Sequence, residues 1–246
     1  MNEYRVKSIM LGLTTAILLA GVIAVAMSVK SYAQLLPGQI QSQSGQSTIN
    51  GAGSTFIFPI MDTWRVEYQK VKPDININYQ SIGSGGGVKQ FTAKTVDFGA
   101  TDAPLSTHEQ QQARGAVHIP EKIGFVVAAY NLPSLPNKGL KLKGPILADI
   151  FLGKIKKWND PQIQSINPGV ALPSGDIVVV HRSDGSGTTF VWTSCLSKIS
   201  PSWNSTVGKG KSVQWPIGIG PQEMKVSPMQ LKVQPIQLDM WNWLMH

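Results

Sequence analysis

Three short stretches combine glycine with hydroxyl residues, each just ahead of a segment with helical patterning. They are Gly51-Ala52-Gly53-Ser54-Thr55-Phe56 before Pro59 to Lys70, Gly83-Ser84-Gly85-Gly86-Gly87 before Val88 to Ala93, and Arg182-Ser183-Asp184-Gly185-Ser186-Gly187-Thr188 before Thr189 to Leu196. The first turn of a helix leaves backbone N–H groups without partners and carries partial positive charge. Glycine lets the main chain come close to a ligand, and serine and threonine add hydroxyl donors. One such stretch is ordinary helix capping. Three in one chain, one of them carrying an arginine, point to an anion site.

Two kinds of charged residue narrow the anion. Arg182 offers a planar fork suited to bidentate contact with a tetrahedral oxyanion, and Asp184, two residues on, can hold that guanidinium in place. Asp102 is the odd member of Asp97-Phe98-Gly99-Ala100-Thr101-Asp102. A carboxylate repels a bound anion unless the anion carries a proton that the carboxylate can accept. Phosphate at neutral pH has that proton and sulfate does not. The competing structural role for Asp102 is an N-cap of a helix over Ala103 to Ala113.

The elements that must position these residues alternate. Ile75-Asn76-Ile77-Asn78-Tyr79 has the two-residue period of a half-buried strand, and Ile177-Val178-Val179-Val180 is a short apolar run. Each leads into one of the glycine-rich stretches and then a helix, which predicts an α/β fold. Hydrophobic residues at 42% and charged residues at 15% support a globular core and argue against global disorder.

The rest of the composition excludes several classes. A formal net charge of +8 admits anionic partners. No basic run is interleaved with aromatics as a single-strand groove requires, so no nucleic-acid partner is expected. The four histidines, His108, His118, His181 and His246, have no metal-ligand spacing, and neither metal nor cofactor is expected. The single cysteine, Cys195, allows no intrachain disulfide and reads as a small buried hydrophobe within an apolar helix. Gly185-Ser186-Gly187 raises a serine nucleophile acting on phosphorylated substrates. No base is placed beside it, and neither Gly-x-Ser-x-Gly nor a nucleotide-binding P-loop is present, so an enzyme is the secondary reading.

At the N-terminus Arg5 and Lys7 precede an apolar run from Ile9 to Met27, and Ser31-Tyr32-Ala33 fits a cleavage site before Gln34. Residues 1–33 are therefore expected to be a secretory leader, with a retained anchor as the alternative, and residues 34–47 a flexible polar linker.

Together the stretches above resemble the periplasmic phosphate-binding proteins of bacterial phosphate ABC importers. The resemblance also takes in Ile82 through Gln90, Ala103-Pro104-Leu105-Ser106, Leu152-Gly153-Lys154-Ile155-Lys156-Lys157-Trp158 and Trp215-Pro216-Ile217-Gly218, and it runs from about Ile49 to Gly220. It implies a two-lobed α/β clamshell of the class II type, incomplete at the C-terminus, with lobe one over residues 48–130 and lobe two over residues 131–220. It implies a monomer that binds inorganic phosphate and delivers it to a membrane permease, without catalysis. The implied phosphate ligands are Thr55, Phe56 through its backbone N–H, Ser84, Asp102, Arg182, Ser186, Gly187 and Thr188, with Asp184 orienting Arg182. Gly85 stands where many relatives carry a second serine. A binding protein for another oxyanion is the remaining alternative.

From Pro221 to His246 the family pattern stops. Members continue with Gly-Asn-Glu-Gly and later Gly-Tyr-Val-Glu-Leu-Ala-Tyr-Ala. Back-translation of Asp239 to His246, read from the third nucleotide, permits Tyr-Val-Glu-Leu-Ala-Tyr-Ala with Val-Glu forced. The same frame near Gln222 to Val226 permits Gly-Asn-Glu-Gly with Glu forced. Residues 221–246 are therefore expected to be an out-of-frame tail, produced by a frameshift after about Gly220, that does not continue the lobe-two sheet.

Overall fold

The computed structural model of the chain describes residues 46–132, 135 and 139–220, together with the backbone of residues 237–243. The expected leader and nearly all of the expected linker lie outside the described residues.

Three strands, β1 (Ser47–Gly53), β2 (Ile75–Ser81) and β3 (Phe98–Ala100), form a parallel sheet in the order β2-β1-β3, with Gly51 opposite both Tyr79 and Phe98. Parallel neighbours need crossover connections. Helices α1 (Phe58–Val71) and α2 (Ser84–Thr92) supply them. Pro59 suits the first turn of α1, where a missing N–H costs nothing. Met61 of α1 packs with Ile57, Tyr79 and Ala100 in a small core under this sheet.

Helix α2 begins earlier than the sequence implies. Gly83 has a positive φ of 81° and makes the turn, and Ser84 to Gly87 are already helical rather than loop. The reason lies in packing. A Cβ on Gly87 would fall 2.6 Å from the Ala52 carbonyl oxygen, so glycine lets α2 lie directly on β1.

The helix expected over Ala103 to Ala113 is shorter, α3 (Thr107–Gln112), and its cap is Ser106 rather than Asp102. Pro104 disfavours helical backbone at Ala103. Ser106 and Glu109 form a reciprocal capping box that fixes the true start. Asp102 is thereby free of a capping role.

A second sheet has the order β4-β6-β5, made from β4 (Phe125–Asn131), β5 (Val178–Val180) and β6 (Gln237–Trp243). Sheet membership changes ahead of Phe125, so β4 belongs with the second sheet although the sequence reading put residues up to 130 in the first lobe. Helices α4 (Gly144–Phe151), α5 (Pro161–Ser165), α6 (Gly187–Ile199) and α7 (Pro201–Thr206) pack around a larger core in which Phe151, Trp158 and Trp203 are fully buried. Trp215 packs at a tilt against Phe151 and Trp203, and His181 stacks on it with ring centroids 4.6 Å apart.

Two expectations are corrected here. Cys195 is exposed. The buried stripe of α6 runs through Thr189, Trp192, Thr193 and Leu196, and Cys195 falls outside it at 100° per residue. The tail does enter the second sheet: the backbone of β6 pairs antiparallel with β4 and parallel with β5. Ladder hydrogen bonds come from the main chain, so any proline-free extended segment can fill the gap that two open strand edges present. The rest of the tail, residues 221–236 and 244–246, lies outside the described residues.

Candidate anion-binding site

Arg182 follows β5 and is only 6% exposed. Its Nε donates to Asp184 Oδ1 at 2.7 Å, and its Nη2 donates to Asp184 Oδ2. One edge of the guanidinium is thus fixed by the residue that the sequence assigned to that task. Nη1 donates to Thr55 Oγ1 at 2.9 Å, which ties the second half of the molecule to the first.

The Asp102 carboxyl lies within reach of the Arg182 charge. Ser54 Oγ donates to Oδ1, and Ser84 Oγ donates to Oδ2 at 3.3 Å while accepting the Asp102 N–H at 3.2 Å. Burial raises the Asp102 pKa above the ordinary aspartate value, and the Ser54 and Ser84 hydroxyls and the Arg182 charge pull against that rise without cancelling it. Tyr79, whose hydroxyl donates to the Ser54 carbonyl oxygen at 2.8 Å, is pushed upward by burial and then by the Asp102 and Glu121 charges.

The two halves meet main chain to main chain. Gly85 N–H donates to the Gly185 carbonyl oxygen at 2.7 Å. A Cβ on Gly85 would lie 2.9 Å from Gly185 Cα, so glycine here permits a close approach that a serine would not. Gly187, first residue of α6, lies against Asp102 and Ser84. Ser186 caps α6, its hydroxyl accepting the Thr189 N–H at 3.2 Å. Thr188 is buried at 2% exposure, and its hydroxyl has no hydrogen-bond partner among the described residues. Such an atom in a polar cleft is satisfied by a ligand or by water.

The structure therefore brings Thr55, Ser84, Asp102, Arg182, Asp184, Ser186, Gly187 and Thr188 to one place. Phe56 is there too, but its backbone N–H already donates to Ser54 Oγ at 3.1 Å. Ser54 itself, 1% exposed, was not singled out by sequence reasoning. It stood in the quoted first stretch, and its one visible signal was the hydroxyl next to Thr55. Beside these residues opens a cleft of about 450 Å³ that reaches Ser54, Phe56, Asp102 and Thr188 and is walled by residues 117–124. A half-buried carboxyl, a fixed arginine and the starts of α2 and α6 can together hold a small oxyanion that bears a proton.

The fold and site define a class of protein. The sequence profile of the PBP superfamily domain matches residues 39–225, and the chain belongs to the PBP superfamily. It is 54% identical over 173 residues to the phosphate-binding protein PstS of Pasteurella multocida, a match covering 70% of this chain and 50% of that protein. It is 50% identical over 194 residues to the phosphate-binding protein PstS of Haemophilus influenzae, covering 79% and 57%. A solved ABC-type phosphate transport receptor from Vibrio cholerae shares the fold with a TM-score of 0.51 at 17% identity, over 80% of this chain and 71% of that one. The chain spans about half the length of the curated relatives it matches.

Proposed function

We propose that this chain binds inorganic phosphate in the periplasm, as a monomer, and passes it to the membrane permease of an ABC importer, without catalysing a reaction. The observation that carries the reading is the gathering of half-buried Asp102 and buried Arg182 in one place, close enough for the Arg182 charge to act on the carboxyl. Arg182 supplies charge, and Ser84, Ser186, Thr55 and Thr188 supply hydroxyl donors. Backbone N–H groups at the start of α6 add the helix-end field. Asp102 accepts the proton that phosphate keeps at neutral pH. The two PstS relatives carry phosphate binding in their names, and that supports the same ligand for this chain.

Sulfate offers Asp102 no proton. Its binding would leave a buried carboxylate against a like charge and one hydrogen bond unmade, at a cost on the order of a thousandfold in affinity. An enzymatic reading has less support. Ser186, the nucleophile it would need, uses its hydroxyl oxygen as the cap of α6. Periplasmic placement rests on the leader pattern of residues 1–33 and on the chemistry of an importer.

Thermal unfolding with added phosphate tests the reading. A ligand that binds only the folded state raises Tm in proportion to the logarithm of its concentration above Kd. The expected result is a phosphate-dependent rise that equimolar sulfate does not give. An unchanged Tm at millimolar phosphate would defeat the proposal.

A further inference from the structure

A second bridge joins the two halves away from Arg182. Glu109 lies in α3, on the side of the first sheet, and Lys211 follows α7 in the second half. Lys211 Nζ donates to Glu109 Oε1 at 2.6 Å and to Oε2 at 2.7 Å. The side chains are only 14% and 22% exposed, so solvent screens them far less than a surface pair. Burial alone would raise the Glu109 pKa, but the bonds from Lys211 and Ser106 more than offset that and hold it below the ordinary glutamate value.

Both partners are fixed by further bonds. Glu109 Oε2 also accepts the Ser106 N–H at 2.8 Å, so its rotamer is set by the capping box of α3. Lys211 is fixed through its main chain. Its carbonyl oxygen accepts the Ser186 N–H at 2.8 Å, and Ser186 is the cap directly before Gly187 and Thr188. One residue therefore grips the anion-binding turn with its backbone and the opposite half with its ammonium.

We infer that the Glu109–Lys211 pair is a clamp between the two halves that positions the Ser186–Thr188 turn and sets how fast the bound anion leaves, without touching it. The inference rests on the phosphate reading for its ligand. An ion pair made only when the halves are together adds to the closed state alone, so it slows release and leaves encounter unchanged.

The test uses the full chain with Glu109→Gln, Lys211→Met, the double variant and Lys211→Arg. Glutamine at this capping-box position keeps the acceptor for Ser106 and removes only the charge. Phosphate dissociation followed by stopped flow should quicken about tenfold in each single variant, with association unchanged. The double variant should be no worse than Lys211→Met, and Lys211→Arg should recover most of the effect. Multiplicative losses in the double variant, or unchanged dissociation in both single variants, overturn the clamp. Amide hydrogen exchange at Ser186 and Gly187 in the ligand-free chain separates this failure from failure of the phosphate reading. Protection there should fall in Lys211→Met and Glu109→Gln whether or not phosphate binds, and unchanged protection in both overturns the clamp on its own.

Discussion

Gly187 lies against the Asp102 carboxyl with no room for a side chain between them; a Cβ on Gly187 would also fall 2.6 Å from Ser84 Oγ. The first residue of α6, in the second half, is thus pressed onto the carboxyl that the first half presents. Two of the atoms it meets, Asp102 Oδ2 and Ser84 Oγ, are side-chain ends that can move aside, while Asp102 Cβ moves only with its main chain. Gly187→Ala should therefore cost more in binding than in folding. Phosphate affinity should fall by at least about tenfold by calorimetry, because a shift below an ångström breaks aligned charge-assisted bonds. Unchanged affinity would mean the two halves meet elsewhere when the ligand is bound.

Gly87 offers the opposite case. The atoms around its missing Cβ are the main chain of β1 and β3, which cannot yield. Gly87→Ala should destabilise the fold by about 1–3 kcal/mol, as overpacking does, and lower Tm by several degrees. Denaturant unfolding of the ligand-free chain checks this, and a stabilising effect of alanine would contradict the direct contact of α2 with β1.

Arg182→Lys keeps a positive charge and loses the fork. Asp184 now holds two guanidinium donors and Thr55 a third. A lysine cannot serve both partners and an anion with one ammonium. Phosphate binding should weaken by about a hundredfold or more, given the strength of hydrogen bonds to charged groups. If calorimetry gives the lysine variant the affinity of the unaltered chain, Arg182 acts only as a point charge.

Asp102→Asn should separate stability from selectivity. Burial raises the Asp102 pKa in the folded chain above its unfolded value. The stability linked to its proton is complete below the ordinary aspartate pKa and is lost as pH rises through the raised value. Above that raised value the ionised carboxyl burdens the ligand-free fold. The asparagine variant should have a ligand-free Tm a few degrees higher there, and the difference should shrink toward acid. A ligand-free Tm that drops at neutral pH would show that the Ser54 and Ser84 hydroxyls outweigh the burial.

Much of this was legible in the sequence because it is local. The alternation of strands, glycine-rich turns and helices marked the fold class, and the Arg182–Asp184 pair spans only two residues. What was not legible depends on distant contacts. Ser54 matters because Asp102, 48 residues away, lies beside its hydroxyl. Helix α2 absorbs the glycines from Gly85 to Gly87 because distant groups crowd them: Gly185 at Gly85, and β1 and β3 at Gly87. The stripe of α6 that excludes Cys195 is set by which face meets the larger core. Strand β6 is not expected from the sequence because the tail reads as out of frame, whereas strand pairing draws on backbone groups, which every residue but proline supplies in any frame.

Asp102 and Arg182 should together form a site for an anion that carries a proton. Competition calorimetry at neutral pH, with phosphate and sulfate titrated into the unaltered chain and into Asp102→Asn, tests it most directly. The unaltered chain should prefer phosphate by on the order of a thousandfold, and the asparagine variant should narrow the gap sharply. An equal preference in the two proteins, or a chain that takes sulfate as readily as phosphate, would contradict it.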